Sequence, residues 1–143
     1  ARIVELFAGS GTFTLAMAEQ AEIHAVEGEA EMLDALDRGW RTAPNLKRVT
    51  TESRDLFRRP LMADELNRFD AIVIDPPRAG AEAQMQDITR SSVARVAAVS
   101  CNPVTFARDA RLLIEAGFSL ERLVVVDQFR WSTHIELAAN FRR

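Results

Sequence analysis

The sequence predicts a single α/β domain of the doubly wound, Rossmann-like type, built on a seven-stranded, mostly parallel sheet with an antiparallel last strand. Two observations carry this prediction. Short apolar runs alternate with segments of helical spacing along most of the chain, the pattern of a parallel sheet covered on both faces. The last two runs, Leu120 to Val126 and His134 to Asn140, have no helix between them and read as an antiparallel hairpin.

The elements follow in order. Arg2 to Phe7 is a buried strand ended by Ala8-Gly9-Ser10-Gly11, and helical spacing then runs through Phe13, Leu15, Met17 and Ala18. Ile23 to Val26 is a second strand stopped at Glu27-Gly28. From Glu29 to about Arg41, Ala30, Leu33, Leu36 and Trp40 share one helix face. Leu46 to Thr51 gives a third strand, Arg54 to Phe57 a loop, and Leu61 to Asn67 a short helix. Phe69 to Ile74 is the clearest strand, and Asp75-Pro76-Pro77 stops it. Ala81 to Ser92 is a partly exposed helix, and Arg95 to Val99 the fifth strand. Val104 to Ala116 is a helix with Pro103 in its first turn and Gly117 just past its end.

Composition narrows the function classes. The chain has 143 residues, 48% hydrophobic and 27% charged, which suits one globular domain. No apolar run reaches the roughly 20 residues of a membrane helix, so the reading has no membrane partner. A net charge of −3 argues against a strongly electrostatic nucleic-acid binder. One cysteine excludes an internal disulfide framework and suits a cytoplasmic protein. The first strand begins almost at the first residue, which suggests a piece of a longer protein.

In such sheets ligands bind beyond the carboxyl ends of the strands. The glycine loop, Glu27, Asp55, Asp75 and Cys101 all fall at that edge. The loop Glu5-Leu6-Phe7-Ala8-Gly9-Ser10-Gly11 departs from the full dinucleotide fingerprint, because Thr14 stands where a third glycine belongs. Gly9 and Gly11 allow a tight turn and close backbone approach, which favours an uncharged or zwitterionic nucleoside over a pyrophosphate. Glu27, about 20 residues on, is placed to accept from ribose hydroxyls; otherwise it is a solvated helix-start acid. Asp55 is either an adenine-binding acid or a turn cap.

Asp75-Pro76-Pro77-Arg78 puts a carboxylate on a rigid exit, able to orient an amide-bearing base, with Arg78 free to meet a phosphate. Cys101 follows the fifth strand directly and precedes a helix start. It is a nucleophile or a small buried hydrophobe. Glu136 stands among Ile135, Leu137, Ala138 and Ala139, either facing solvent or turned inward as a base. His24 and His134 have no metal-ligand company, so no metal site is read.

A sheet of this order points to the class I methyltransferase variant of the fold. Several segments together resemble the RNA (uracil-5-)-methyltransferase family. They are Glu5 to Gly11, Val26-Glu27-Gly28, Asp75 to Gly80 (DPPRAG), Ser100 to Pro103 (SCNP) with Ala107-Arg108-Asp109, and Asp127 to Glu136. The resemblance implies an S-adenosylmethionine-dependent enzyme that makes 5-methyluridine in rRNA or tRNA. By position it implies Cys101 as nucleophile, Glu136 as the base at carbon 5, and Asp75 as the carboxylate between base and methionine. It likewise implies Glu27 as the ribose acid and the loop through Gly9 and Gly11 under the cofactor; Phe7 of that loop and Asp55 complete the expected cofactor site.

Members of that family carry an N-terminal RNA-binding β-barrel and a glutamine-containing segment before the glycine loop, and many hold cysteines for an iron–sulfur cluster. This sequence shows none of these, and Arg130-Trp131 replaces a frequent proline. It is therefore read as the catalytic domain of a larger enzyme. Two alternatives stand beside that reading: a same-fold methyltransferase acting on a base nitrogen, which needs no thiol, and a non-catalytic cofactor-binding module.

Overall fold

The computed structural model describes residues 1–127 and 135–143; His134, Arg130-Trp131 and the rest of the 128–134 stretch lie outside them. Twelve elements alternate in chain order: β1 (Arg2–Leu6), α1 (Thr12–Met17), β2 (Glu22–Glu27), α2 (Ala30–Thr42), β3 (Val49–Ser53), α3 (Ala63–Leu66), β4 (Ala71–Ile74), α4 (Glu82–Arg90), β5 (Arg95–Ser100), α5 (Pro103–Glu115), β6 (Ser119–Asp127) and β7 (Ile135–Arg142).

The strands form one seven-stranded sheet in the order β3-β2-β1-β4-β5-β7-β6. Strands β1 to β5 pair in parallel, while β7 runs antiparallel to both β5 and β6. The doubly wound class I methyltransferase architecture with a reversed last strand is thus the observed one. The final two strands do pair, and β7 lies between β5 and β6 rather than at the edge.

Boundaries differ from the sequence pattern where side chains claim the backbone. The third strand starts at Val49, not Leu46, because Lys47 is held outside the ladder. Its amide donates to the Ala18 carbonyl at 2.7 Å and its carbonyl accepts from Trp40 Nε1 at 3.0 Å. The helix read from Leu61 begins at Ala63. Gln84, fully buried, takes both Leu61 backbone groups through its amide, at 2.8 and 3.0 Å, as a neighbouring strand would.

Two apolar layers flank the sheet. On one face Leu6, Ile72, Ile74, Val96, Ala98 and Ala139 pack against Met85 and Ile88 of α4 and Ala110 and Leu113 of α5. Fully buried residues such as Ile72 and Leu113 each contribute roughly 1.5–3 kcal/mol of transfer free energy. On the other face Ile23, Ala25 and Val49 pack against Ala18, just past the end of α1, and Leu36 of α2. This second layer covers the β1–β2–β3 half of the sheet.

Candidate active site

Strand pairing fixes which residues share a face at the carboxyl edge. Glu5 pairs with Val73, Val73 with Ala97, and Ala97 with Asn140. Side chains alternate along each strand, so Glu5 and Glu136 share one parity with Val73 and Ala97, and Asp75 and Cys101 come just past the ends of β4 and β5. That face is opposite to the one Leu6, Ile74, Ala98 and Ala139 present to α4 and α5. The last paired residues of β5 and β7 are Ser100 and Leu137. Cys101 is the next residue after that pair on one strand, and Glu136 precedes it on the other. Asp75 follows β4 directly, with its amide donating to the Leu6 carbonyl at 3.2 Å. Cys101, Asp75 and Glu136 are all half-buried.

Electrostatics tie these carboxyl groups together. Burial pushes the Asp75 carboxyl up to about 6, and the charge of Glu136 beside it adds to the rise. Burial pushes Glu5 up to about 7; the hydrogen bond from the Thr14 hydroxyl opposes this, and the Asp75 charge adds to it. Glu5 is completely buried. Its Oε1 accepts from Thr14 Oγ1, and among the described residues its Oε2 has no hydrogen-bond partner. Sequence reasoning quoted Glu5 only as the start of the glycine loop. The available signal was a carboxylate inside Ile3-Val4-Glu5-Leu6, a strand apolar on both sides, where an acid is seldom fully buried.

Beside this row opens a cleft of about 500 Å³ lined by Phe7, Glu27, Met32, Asp55, Phe57 and Asp75, among others. The sequence-predicted residues thus divide: Phe7, Glu27, Asp55 and Asp75 line the cleft, whereas Gly9, Cys101, Glu136 and the buried Gly11 do not. Gly9, at φ +61°, gives its amide to Glu27 Oε1 at 3.1 Å, and Glu27 Oε2 accepts the Glu29 amide at 2.8 Å. Gly11, at φ +101°, would drive a Cβ to 2.9 Å from Leu36 Cγ. Its smallness lets α1 approach α2. Phe7 holds the left-handed conformation at φ +61°, rare for a bulky residue, and its ring meets that of Phe57 at 5.4 Å.

Asp55 does act as a turn cap: its Oδ1 accepts the amides of Phe57 at 3.0 Å and Arg58 at 3.3 Å. The loop it caps is anchored by Arg54, which donates to Glu65, Glu52 and the carbonyls of Arg59 and Pro60. Phe57, half-exposed on that loop, is a cleft residue that the sequence reading did not single out. A single exposed aromatic after a weak strand gave no periodic signal.

His24 lies away from this edge, its ring nitrogens within 2.7 Å of Thr50 Oγ1 and 3.0 Å of Glu52 Oε1. Among the described residues no cluster of three or more His, Cys, Asp or Glu side chains is placed to hold a metal ion. Nor is any described helix long and apolar enough to cross a membrane.

A protein of Mesorhizobium japonicum named as an RNA methyltransferase is 59% identical over 138 residues, covering 96% of this chain and 34% of its own length. The 23S rRNA (uracil(1939)-C(5))-methyltransferase RlmD of Acinetobacter baumannii is 35% identical over 152 residues, covering 99% of this chain and 32% of its own. The chain therefore spans about a third of the length of these relatives. The crystal structure of Pyrococcus abyssi tRNA (uracil-54, C5)-methyltransferase with S-adenosyl-L-homocysteine superposes with a TM-score of 0.82 at 26% identity, over 97% of this chain and 33% of that one. The family described as tRNA (Uracil-5-)-methyltransferase matches residues 1–143 from end to end. The chain belongs to the tRNA (uracil-5-)-methyltransferase family.

Proposed function

We propose that this chain is the catalytic domain of a longer enzyme that transfers a methyl group from S-adenosylmethionine to carbon 5 of a uridine in rRNA or tRNA, through a covalent bond between Cys101 and the uracil. What supports the proposal is that β5 and β7 pair antiparallel up to Ser100 and Leu137, so that Cys101 and Glu136 flank the last pair at the same end of the sheet, where the Glu136 charge is felt by Asp75.

The residues of the cleft fit the cofactor. A volume of about 500 Å³ suits a nucleoside joined to an amino acid. Each Glu27 oxygen holds one amide and keeps acceptor capacity for a ribose hydroxyl. Phe7, Met32 and Phe57 supply apolar surface for a base, and Asp55, whose Oδ2 lies 3.8 Å from Arg58 Nε, offers that oxygen to an exocyclic amine. When bound, the cofactor supplies an electrophilic methyl group on a sulfonium.

Carbon 5 of uracil is too poor a nucleophile to take that methyl group unaided. The Cys101 thiolate adds to carbon 6, and the displaced π electrons make carbon 5 enolate-like and able to attack. Once carbon 5 carries the methyl group, Glu136 removes its remaining proton, the carbon 5–carbon 6 double bond re-forms, and the Cys101 sulfur departs. Asp75, which lines the cleft and feels the Glu136 charge, orients the uracil amide edge. The target nucleotide has to leave its stack to reach this edge, and Arg78, exposed beyond Pro77, is available to its phosphate.

The test traps the intermediate. RNA containing 5-fluorouridine carries fluorine where the departing proton should be, so the full-length protein with S-adenosylmethionine should form a stable adduct at Cys101. Cys101→Ala should abolish both adduct and methyl transfer. Methylation that survives this substitution would point instead to chemistry at a base nitrogen.

A further inference from the structure

We propose that Asn102 is a positioning residue for the reaction, tying the loop that carries Asp75 to the helix that starts behind Cys101 so that the two move as one body. The proposal rests on the reading of Cys101 as the nucleophile.

The side chain of Asn102 makes two bonds in opposite directions. Its Oδ1 accepts the Val104 amide at 3.0 Å, which caps the N-terminus of α5, and its Nδ2 donates to the Arg78 carbonyl at 2.9 Å. The Asn102 amide donates in turn to Ser100 Oγ at 3.1 Å, which fixes the backbone on either side of Cys101. Only a short side chain with both an acceptor and a donor can do this. Serine and aspartate also cap helices, but aspartate has no donor and the serine hydroxyl is shorter.

The contact continues down one face of α5. Thr105 Oγ1 donates to the same Arg78 carbonyl at 3.0 Å, and Arg108 Nη2 donates to the Ala79 carbonyl at 3.1 Å. The buried Asp109 accepts the Ala81 amide at 2.9 Å. Spacings of three and four place these side chains on one side of the helix. The loop fits closely enough that a Cβ on Gly80, at φ +77°, would come within 2.5 Å of Arg108 Nη2 and 2.9 Å of Asp109 Oδ2.

A closed path results. Asp75 leads through two stiff prolines to Arg78, Arg78 is bonded to Asn102, and Asn102 adjoins Cys101. The pairing of Ile74 with Ala98 closes the ring at its base. Breaking the Arg78–Asn102 bond leaves the sheet and the Thr105, Arg108 and Asp109 bonds in place and removes only the tie next to the thiol, so Cys101 gains local freedom relative to the carboxylate, and displacements of this kind are costly to reaction rates.

The experiment compares Asn102→Ser, which keeps the cap and loses the bond to Arg78, with Asn102→Ala, which loses both. Each is made in the full-length protein that contains this chain. The readouts are melting temperature, affinities for S-adenosylmethionine and RNA, and the single-turnover adduct rate at saturating 23S rRNA or tRNA transcripts containing 5-fluorouridine. Asn102→Ser should keep its melting temperature and affinities while the adduct rate falls roughly tenfold or more; Asn102→Ala should also melt earlier. An Asn102→Ser protein that reacts at the wild-type rate, or whose loss tracks melting or RNA affinity, overturns the positioning role alone. A wild-type protein that forms no adduct overturns the nucleophile reading, and this inference with it.

Discussion

Glu27 holds the glycine loop from the end of the neighbouring strand: its Oε1 accepts the Gly9 amide at 3.1 Å, while Oε2 accepts the Glu29 amide at 2.8 Å. An ionised carboxylate offers about four acceptor sites, so holding these two amides leaves room for a ribose diol. Glu27→Gln removes one acceptor oxygen and sets an NH₂ group against an amide donor. Hydrogen bonds to charged groups contribute about 1.5–3 kcal/mol, so S-adenosylmethionine affinity should drop roughly tenfold or more by titration calorimetry. Wild-type affinity in this variant would leave Glu27 as a loop anchor alone.

The two glycines of the loop should respond differently to alanine. Both have positive φ, which costs a residue with a Cβ roughly 1–2 kcal/mol. At Gly9 the new methyl would find only Met32 Sδ, at 4.0 Å, whereas at Gly11 it would press on Leu36 Cγ at 2.9 Å. Overpacking of that kind adds about 1–3 kcal/mol. Chemical denaturation without cofactor should therefore rank Gly11→Ala as the less stable protein. Gly9→Ala should show the larger relative loss of cofactor affinity. The reverse ranking would mean that the α1–α2 contact is not what requires Gly11.

How much of this was legible in the sequence depends on the kind of contact. Alternating apolar runs revealed the strands because burial acts on them locally, and the position of Asp75 and Cys101 at strand ends followed from that. The pairing that brings the ends of β5 and β7 together, Ser100 opposite Leu137, did not follow, since it is a choice among strands far apart in sequence. The bonds of Gln84 to Leu61 and Trp40 to Lys47 moved two boundaries for the same reason. Glu5 escaped notice because its partners, Thr14 and Asp75, come from two other elements.

Glu5 should give the protein an inverted acid response. Its carboxyl is raised from 4.5 to about 7 in the folded state, so between these values the native protein binds more protons than the unfolded chain. Stability then falls as pH rises through that window and levels off above it. Asp75, raised from 3.8 to about 6, acts in the same direction over a lower range. Glu5→Gln removes the first contribution, so the variant should gain on the order of 1–3 kcal/mol over wild type at pH 8 and little at pH 4.5. Urea denaturation at the two pH values measures the difference, and an equal effect at both would show that Glu5 ionises freely in the fold.

Glu136 separates the two halves of the proposed reaction. Thiol addition and methyl transfer need Cys101 and the cofactor, and only the final elimination needs a base at carbon 5. Glu136→Gln keeps the shape of the residue and removes its ability to take a proton. With ordinary uridine RNA the variant should incorporate methyl groups but accumulate the covalent complex, with release slowed roughly 10²–10⁴-fold, the usual contribution of a positioned base. Denaturing gels and labelled cofactor read the adduct and the methyl group separately. Normal turnover by Glu136→Gln would move the base to another carboxylate on this face. Asp75 is the nearest by charge coupling, and its raised proton affinity equips it to receive a proton near neutral pH. The Asp75→Asn protein would then be the one to hold the methylated adduct.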